Sequence, residues 1–173
     1  RKGELGGPTP EQPTDPAKSE IPPELRNFYE TRPGFANYAA NRMERDGLLT
    51  LFQKRGNYSA FAGAWKLTLK SADDKSIEVT LANDAASWSE SDRRYAVTRD
   101  QTDELEPPGT GGLLVALAQW RRFLLNPVSE FRRCDFAGGF PGFDGQIQPA
   151  IVTEDNGIES FWLIDRATGT LLG

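Results

Sequence analysis

Histidine is absent from all 173 residues. Its absence excludes Ser-His-Asp and Cys-His nucleophilic catalysis within this chain and removes the commonest zinc ligand. The side chain best suited to moving protons near neutral pH is also gone. That argues against an enzyme and leaves acid- or lysine-based chemistry as the route still open. Cysteine is nearly absent too: Cys134 alone permits no internal disulfide, builds no structural zinc site, and leaves the redox compartment open. No apolar run approaches the roughly 18 residues of a membrane-spanning helix. Positive charge is not in excess. A net charge of -5 argues against a nucleic-acid or anionic-membrane surface, because phosphate binding needs a basic field. No metal and no cofactor are expected.

What is present divides into an arm and a domain. Residues Arg1–Glu20 hold four prolines, three glycines and almost no large apolar side chains, and Ile21-Pro22-Pro23 continues the pattern. Such a stretch buries too little to offset its ordering entropy, so residues 1–23 read as a flexible arm or linker. Residues 24–173 read as a single α+β domain, long enough to bury about two thirds of its unfolded surface. The chain opens on Arg1 without a signal peptide, so we expect a piece of a longer protein with its targeting segment and a further domain ahead of it.

The domain is organised around Gly112–Leu125, GLLVALAQWRRFLL. Leu113, Leu114, Leu117, Trp120, Phe123 and Leu124 fall on one broad helical face. Thr110 is placed to cap the first turn, Pro127 stops the helix, and Arg121 and Arg122 suit its negative pole. A second helix is expected over Gly34–Arg55, weakened at Gly47, which marks a kink or a close approach to the sheet. Glu24–Glu30 reads as a helical turn carrying Leu25 and Phe28 toward the domain. Strands with period-two alternation are expected at Ala64–Ser71, Ser76–Ala82, Ser87–Ser89, Arg93–Arg99, Glu130–Ala137, Gln146–Thr153, Ile158–Asp165 and Thr170–Leu172. Gly138–Gly145 reads as a loop, and Asn156-Gly157 as a hairpin turn. The expected architecture is a curved antiparallel sheet of about seven or eight strands in two meanders, with two main helices on one face.

Few stretches carry a chemical signature. Glu106–Gly112 resembles a phosphate-binding loop but lacks its Lys and Ser/Thr, and reads as a plain entry to the helix. Asp100, Asp103, Glu104 and Glu106 could supply oxygens to calcium but lack the spacing of a calcium loop, so a solvated acidic loop is expected. Asp144 reads as a turn residue. Cys134 beside arginines reads as a half-buried structural thiol, reactive only if exposed. Asn57-Tyr58-Ser59 satisfies a glycosylation triplet at a helical entry. The glycine-flanked Phe136, Phe140 and Phe143 either tuck under the sheet, the favoured reading, or line a ligand pocket or protein-binding edge.

Two stretches resemble known families. The run from Asn156-Gly157 through Ile158–Leu172, with its Asp165-x-x-Thr168-Gly169-x-Leu171 turn, resembles the late hairpin of the outer-membrane lipoprotein carrier (LolA-like) superfamily. That resemblance implies a half-barrel with helices on its concave side, holding acyl chains or other hydrophobic ligands. Ile21–Leu25, Arg32–Tyr38 and Pro107–Leu114 are similar to C-terminal regions of planctomycete-type exported trypsin-like (HtrA-like) serine proteases. This likeness implies an exported, periplasmic or cell-envelope protein whose catalytic residues lie outside the present chain.

The expected function is therefore a non-catalytic accessory or binding domain of an exported multidomain protein, with a hydrophobic ligand or a protein as partner. The alternative is a carrier that shields a lipid-like ligand in the concave face of the sheet, lined by Leu113, Leu117, Trp120, Leu124, Phe136, Phe140 and Phe143. A carrier requires an apolar cavity of several hundred cubic ångströms. In an accessory module the same side chains fill that space themselves.

Overall fold

A computed structural model of the chain describes residues 22–70, 74–100 and 105–173. The arm expected over residues 1–20, the turn residues 71–73, and Asp103 and Glu104 of the acidic loop lie outside them. The chain sorts into two compact units, one running to Met43 and the other from Glu44 to Gly173.

In the first unit Pro23–Phe28 forms a 3-10 turn, with proline in its first turn where no amide donor is needed. Leu25 and Phe28 are 50% and 63% exposed, so neither is drawn into a core as expected. The helix α1 spans Tyr38–Gln53, four residues later than its apolar spacing suggests. Its start is set by Asn37, whose Oδ1 accepts from Ala39 N and Glu30 N while its amide donates to the Phe28 carbonyl. Just ahead, Arg32 and Phe35 pair across a tight turn with Gly34 at φ +86°. The Arg32 guanidinium lies 4.3 Å from the Tyr38 ring centre.

Among the described residues the second unit holds seven strands. They form two hydrogen-bonded sheets among the described residues, where the sequence suggested one curved sheet. The first pairs β1 (Trp65–Lys70), β2 (Ser76–Leu81), β3 (Ala85–Glu90) and β4 (Arg93–Thr98) as an antiparallel meander. Its inner face carries Leu67, Leu69, Ile77, Val79, Leu81, Ala86, Trp88, Tyr95 and Val97. Lys66, Thr68, Glu78, Thr80, Ser87 and Arg94 alternate onto the other face, as period two requires. β3 is longer than its expected core at Ser87–Ser89, because alanine and serine carry little strand signal yet pair fully with β2 and β4.

The second sheet orders β5 (Arg133–Pro141), β6 (Ile147–Asp155) and β7 (Ile158–Leu163), also antiparallel. β5 starts after the short helix α3 (Pro127–Glu130), capped by Asn126, and runs on through Gly138–Pro141, which the glycines had marked as loop. The register shifts between Phe136 and Gly138, so one extra residue is absorbed as a bulge. Asn156 and Gly157 both take positive φ, 49° and 81°, as the two-residue turn between β6 and β7 demands. The last residues run beside β7 through Leu172 N to Leu163 O and Leu163 N to Gly173 O, instead of forming a full strand.

The helix α2 (Leu113–Leu125) serves both sheets. Thr110 Oγ1 accepts from Leu113 N at its start. In its first half Leu113, Leu114, Val115, Leu117 and Ala118 pack on the inner face of β1–β4. In its second half Phe123 and Leu124 join Leu48, Leu49 and Phe52 of α1 and Ile151, Trp162 and Ile164 of the other sheet. Phe123 stacks on Trp162 with ring centres 4.4 Å apart. Each such buried side chain contributes roughly 1.5–3 kcal/mol.

Arg121 and Arg122, expected to serve the negative pole of this helix, are both buried. Arg121 reaches the carbonyls of Ala62 and Gly63 at 2.8 and 2.7 Å and Asn83 Oδ1 at 3.1 Å. Arg122 pairs with buried Asp155 at 2.5 Å, and Arg99 meets the same oxygen at 2.8 Å. Arg99 also donates to the Glu130 carbonyl. This triad ties α2, the end of β4, α3 and the end of β6 together. Burial pushes the Asp155 carboxyl up, but the hydrogen bonds from Arg99 and Arg122 outweigh it and hold the group below its ordinary range. Burial lowers Arg122, yet from so high a value that the guanidinium stays charged.

Candidate functional site

The space between α2 and the first sheet is filled. Its void, lined by Ala86, Val97, Val115, Gln119, Arg122 and Ile158, measures about 20 Å³, room for about one water. A larger concavity lies on the outside of the second unit, where four chain segments meet.

The last turn of α1 ends at Gly56, and the 3-10 turn Tyr58–Phe61 folds Tyr58 back across it. A Cβ at Gly56 would stand 3.1 Å from the Tyr58 ring, so the bare glycine lets the ring lie flat. Tyr58 thereby stacks on Phe52, ring centres 5.7 Å apart at 17°. β1 begins with Trp65, whose indole donates to the Phe61 carbonyl at 2.7 Å. Arg121 holds the two carbonyls just before that strand and lies 5.6 Å from the Trp65 ring centre. α2 contributes Trp120, edge-on to Trp65 at 5.7 Å, and Leu124 one turn later.

The closing wall is the turn of residues 165–169. Asp165 Oδ1 accepts from Ala167 N and Thr168 N, and Gly169 N donates back to the Asp165 carbonyl. Those amides pull the Asp165 carboxyl below its ordinary range. Gly169, at φ +71°, lies so close to α1 that an added Cβ would stand within 2.6 Å of the Leu51 carbonyl carbon. The Asp-x-x-Thr-Gly-x-Leu turn thus has a local physical reason: an acid to gather amides, a glycine to touch the helix, and Leu171 to face the groove.

Together Phe52, Arg55, Tyr58, Trp65, Trp120, Leu124, Gly169, Thr170 and Leu171 line a groove of about 380 Å³. That lies at the lower end of the range of small-ligand sites. The floor is aromatic and aliphatic, and among the described residues no acidic side chain lines it. Among the described residues the Trp120 indole N–H, the Tyr58 hydroxyl and the Arg55 guanidinium make no side-chain hydrogen bond. The groove therefore presents apolar faces and unused donors, and it suits a ligand rich in acceptors.

No family model, curated protein or solved structure matches this chain.

Of the seven residues expected to line a ligand site, the groove gathers Trp120 and Leu124. Leu113 and Leu117 pack against the first sheet. Phe136 packs against the core on the inner face of the second sheet. Phe140 does not share that face, because the bulge reverses the alternation: it packs against Phe161 with the rings tilted and their centres 4.7 Å apart. Phe143 is 98% exposed on the β5–β6 turn, so it does not tuck under the sheet. Phe52, Arg55, Tyr58, Trp65 and Leu171 join the groove without a signal in the sequence beyond helical or strand periodicity.

The remaining candidates carry little chemistry. Among the described residues no three acids, cysteines or histidines cluster as a metal site would require. Asp100 accepts from Thr98 Oγ1, and Asp144 from Gln146 N as a turn residue. Glu106–Gly112 is a hydrogen-bonded entry to α2, with Leu114 N on the Glu106 carbonyl. Cys134 is 5% exposed, and burial pushes its thiol up to about 12 against the opposing pull of Arg45. Asn57 Oδ1 accepts from Ser59 Oγ. Among the described residues no helix is long and apolar enough to cross a membrane.

Proposed function

We propose that this chain is a non-catalytic binding module, an accessory domain of an exported multidomain protein, which works through the groove between Tyr58, Trp65, Trp120 and Leu171. One observation carries the reading: four aromatic rings converge on an open groove whose indole, hydroxyl and guanidinium donors are left unused. Half-buried aromatics with a polar edge are the usual anchors of recognition surfaces. The absence of histidine and of any nucleophile motif supports a role without catalysis. The likenesses to exported proteins support a place in the periplasm or cell envelope, appended to a protease.

The alternative, a carrier of the LolA-like half-barrel kind, draws support from the two meanders that both pack on α2 and from the Asp165–Leu171 turn. It is the weaker reading, because α2 leaves about 20 Å³ where an acyl chain would lie. A solvatochromic apolar dye and a native mass spectrum of the full chain separate the two. A groove module binds one dye per chain, loses that binding in Trp120→Ala, and flies without lipid. Co-purified lipid, or dye binding indifferent to Trp120→Ala, would overturn it.

A further inference from the structure

We infer that the groove receives an acidic, proline-rich segment of a partner chain, held as a polyproline II helix; the inference rests on the groove being the binding site. Three features point to this occupant. The lining side chains offer faces for packing from Tyr58, Trp65 and Trp120, with buried Phe52 stacked beneath Tyr58 and the two indoles at right angles. Proline rings pack against such faces, and the polyproline helix is already extended, so little ordering entropy is lost on docking.

The second feature is the balance of hydrogen-bonding groups. The groove supplies the Trp120 N–H and the Tyr58 O–H, and among the described residues neither carboxylate nor amide side chains line it. A polyproline helix has the complementary inventory: its carbonyls point outward unpaired, and its prolines lack the N–H that would need an acceptor. An ordinary extended peptide brings an N–H at every residue, and each one buried without an acceptor costs about 1–3 kcal/mol, whereas prolines at every third position reduce that number.

Charge is the third. Arg55 lines the groove, Lys54 precedes it in the chain, and among the described residues neither has an ion-pair partner. Acids interspersed between the prolines would pair with them. A segment with prolines at every third position, one per polyproline turn, repeats its rings on one side about 9 Å apart and leaves the acids free for the rim. Residues 8–16 of this sequence, Pro-Thr-Pro-Glu-Gln-Pro-Thr-Asp-Pro, have that chemistry, and a synthetic peptide of this sequence serves as the probe.

The titration uses the full chain carrying Pro10→Ala, Pro13→Ala and Pro16→Ala, so that the peptide is the sole source of the motif, and reads tryptophan fluorescence. The expected result is saturable binding at one peptide per chain. Arg55→Gln, an exposed change, weakens it several-fold and flattens its salt dependence. Trp120→Ala weakens it about tenfold or more. Replacing the two acids of the peptide by their amides reproduces the Arg55→Gln loss without adding to it, and replacing its prolines by alanine abolishes binding. Equal binding of the alanine peptide overturns the inference, as does binding untouched by Arg55→Gln. If the apolar dye binds and the peptide does not, the occupant is wrong and the groove stands. If neither binds, both fall.

Discussion

Gly169→Ala replaces one hydrogen by a methyl group at the point where the 165–169 turn meets the end of α1. Two costs combine. The residue sits at φ +71°, where an alanine is disfavoured by about 1–2 kcal/mol. The new Cβ would also meet the Leu51 carbonyl carbon at 2.6 Å and Phe52 N at 3.1 Å. Those are backbone atoms of a helix whose Phe52 and Leu48 are locked in the core, so no side-chain rotation relieves the overlap. Forced overpacking adds about 1–3 kcal/mol. The total, about 2–5 kcal/mol, is a large share of a domain's usual stability of about 5–15 kcal/mol. Urea unfolding followed by tryptophan fluorescence reads it. At a slope of about 2 kcal/mol per molar the midpoint falls by about 1 M or more. The same substitution at Gly47 is the control, since that glycine is exposed within α1 and a Cβ there meets nothing within 4 Å. Gly47→Ala raises stability by about 0.5–1 kcal/mol. A Gly169→Ala midpoint within about 0.3 M of the parent, or a loss at Gly47 equal to that at Gly169, would refute the packing described for this turn.

Asp155 makes stability depend on acid. Its carboxyl is held below the ordinary range in the folded protein, so its contribution is complete above the unfolded pKa of about 3.9 and is lost as pH falls through the lower folded value. Asp155→Asn should therefore flatten the loss of thermal stability between about pH 5 and pH 2. Asp155→Ala, which strands buried Arg122, should cost about 3–5 kcal/mol at neutral pH in chemical denaturation. Cys134, buried and with its thiol pushed up to about 12, should ignore an aromatic disulfide reagent at pH 8 in the native state and react fully in denaturant. Rapid native labelling would place that strand edge in solvent.

Both helices, the two meanders and the Asn156-Gly157 hairpin could be read from the sequence because each rests on local spacing. The division into two sheets could not. It depends on which strand edges pair, and alternation along each strand is the same either way. The phenylalanines show a second limit: Phe136 and Phe140, four apart, share a face in a regular strand, and the extra residue between Phe136 and Gly138 undoes that. The buried arginines show a third. Next to a helix end they read as partners of its negative pole, and only the tertiary arrival of the Ala62 and Gly63 carbonyls and of Asp155 gives them partners inside. The groove is assembled from residues up to about 119 positions apart, from Phe52 to Leu171, and no local pattern announces it.

One helix is common to the cover of both sheets. The thirteen residues of α2 lie on the face bearing Val79 and Trp88 and, together with Leu48, Leu49 and Phe52 of α1, on the face bearing Ile151 and Trp162. If that rod swings away, greasy surface on both sheets is wetted at once, which couples the melting of one meander to that of the other. The groove inherits this coupling through Trp120: loosening anywhere along the rod is felt where a ligand would sit, and a ligand that clamps the tryptophan tightens both layers together.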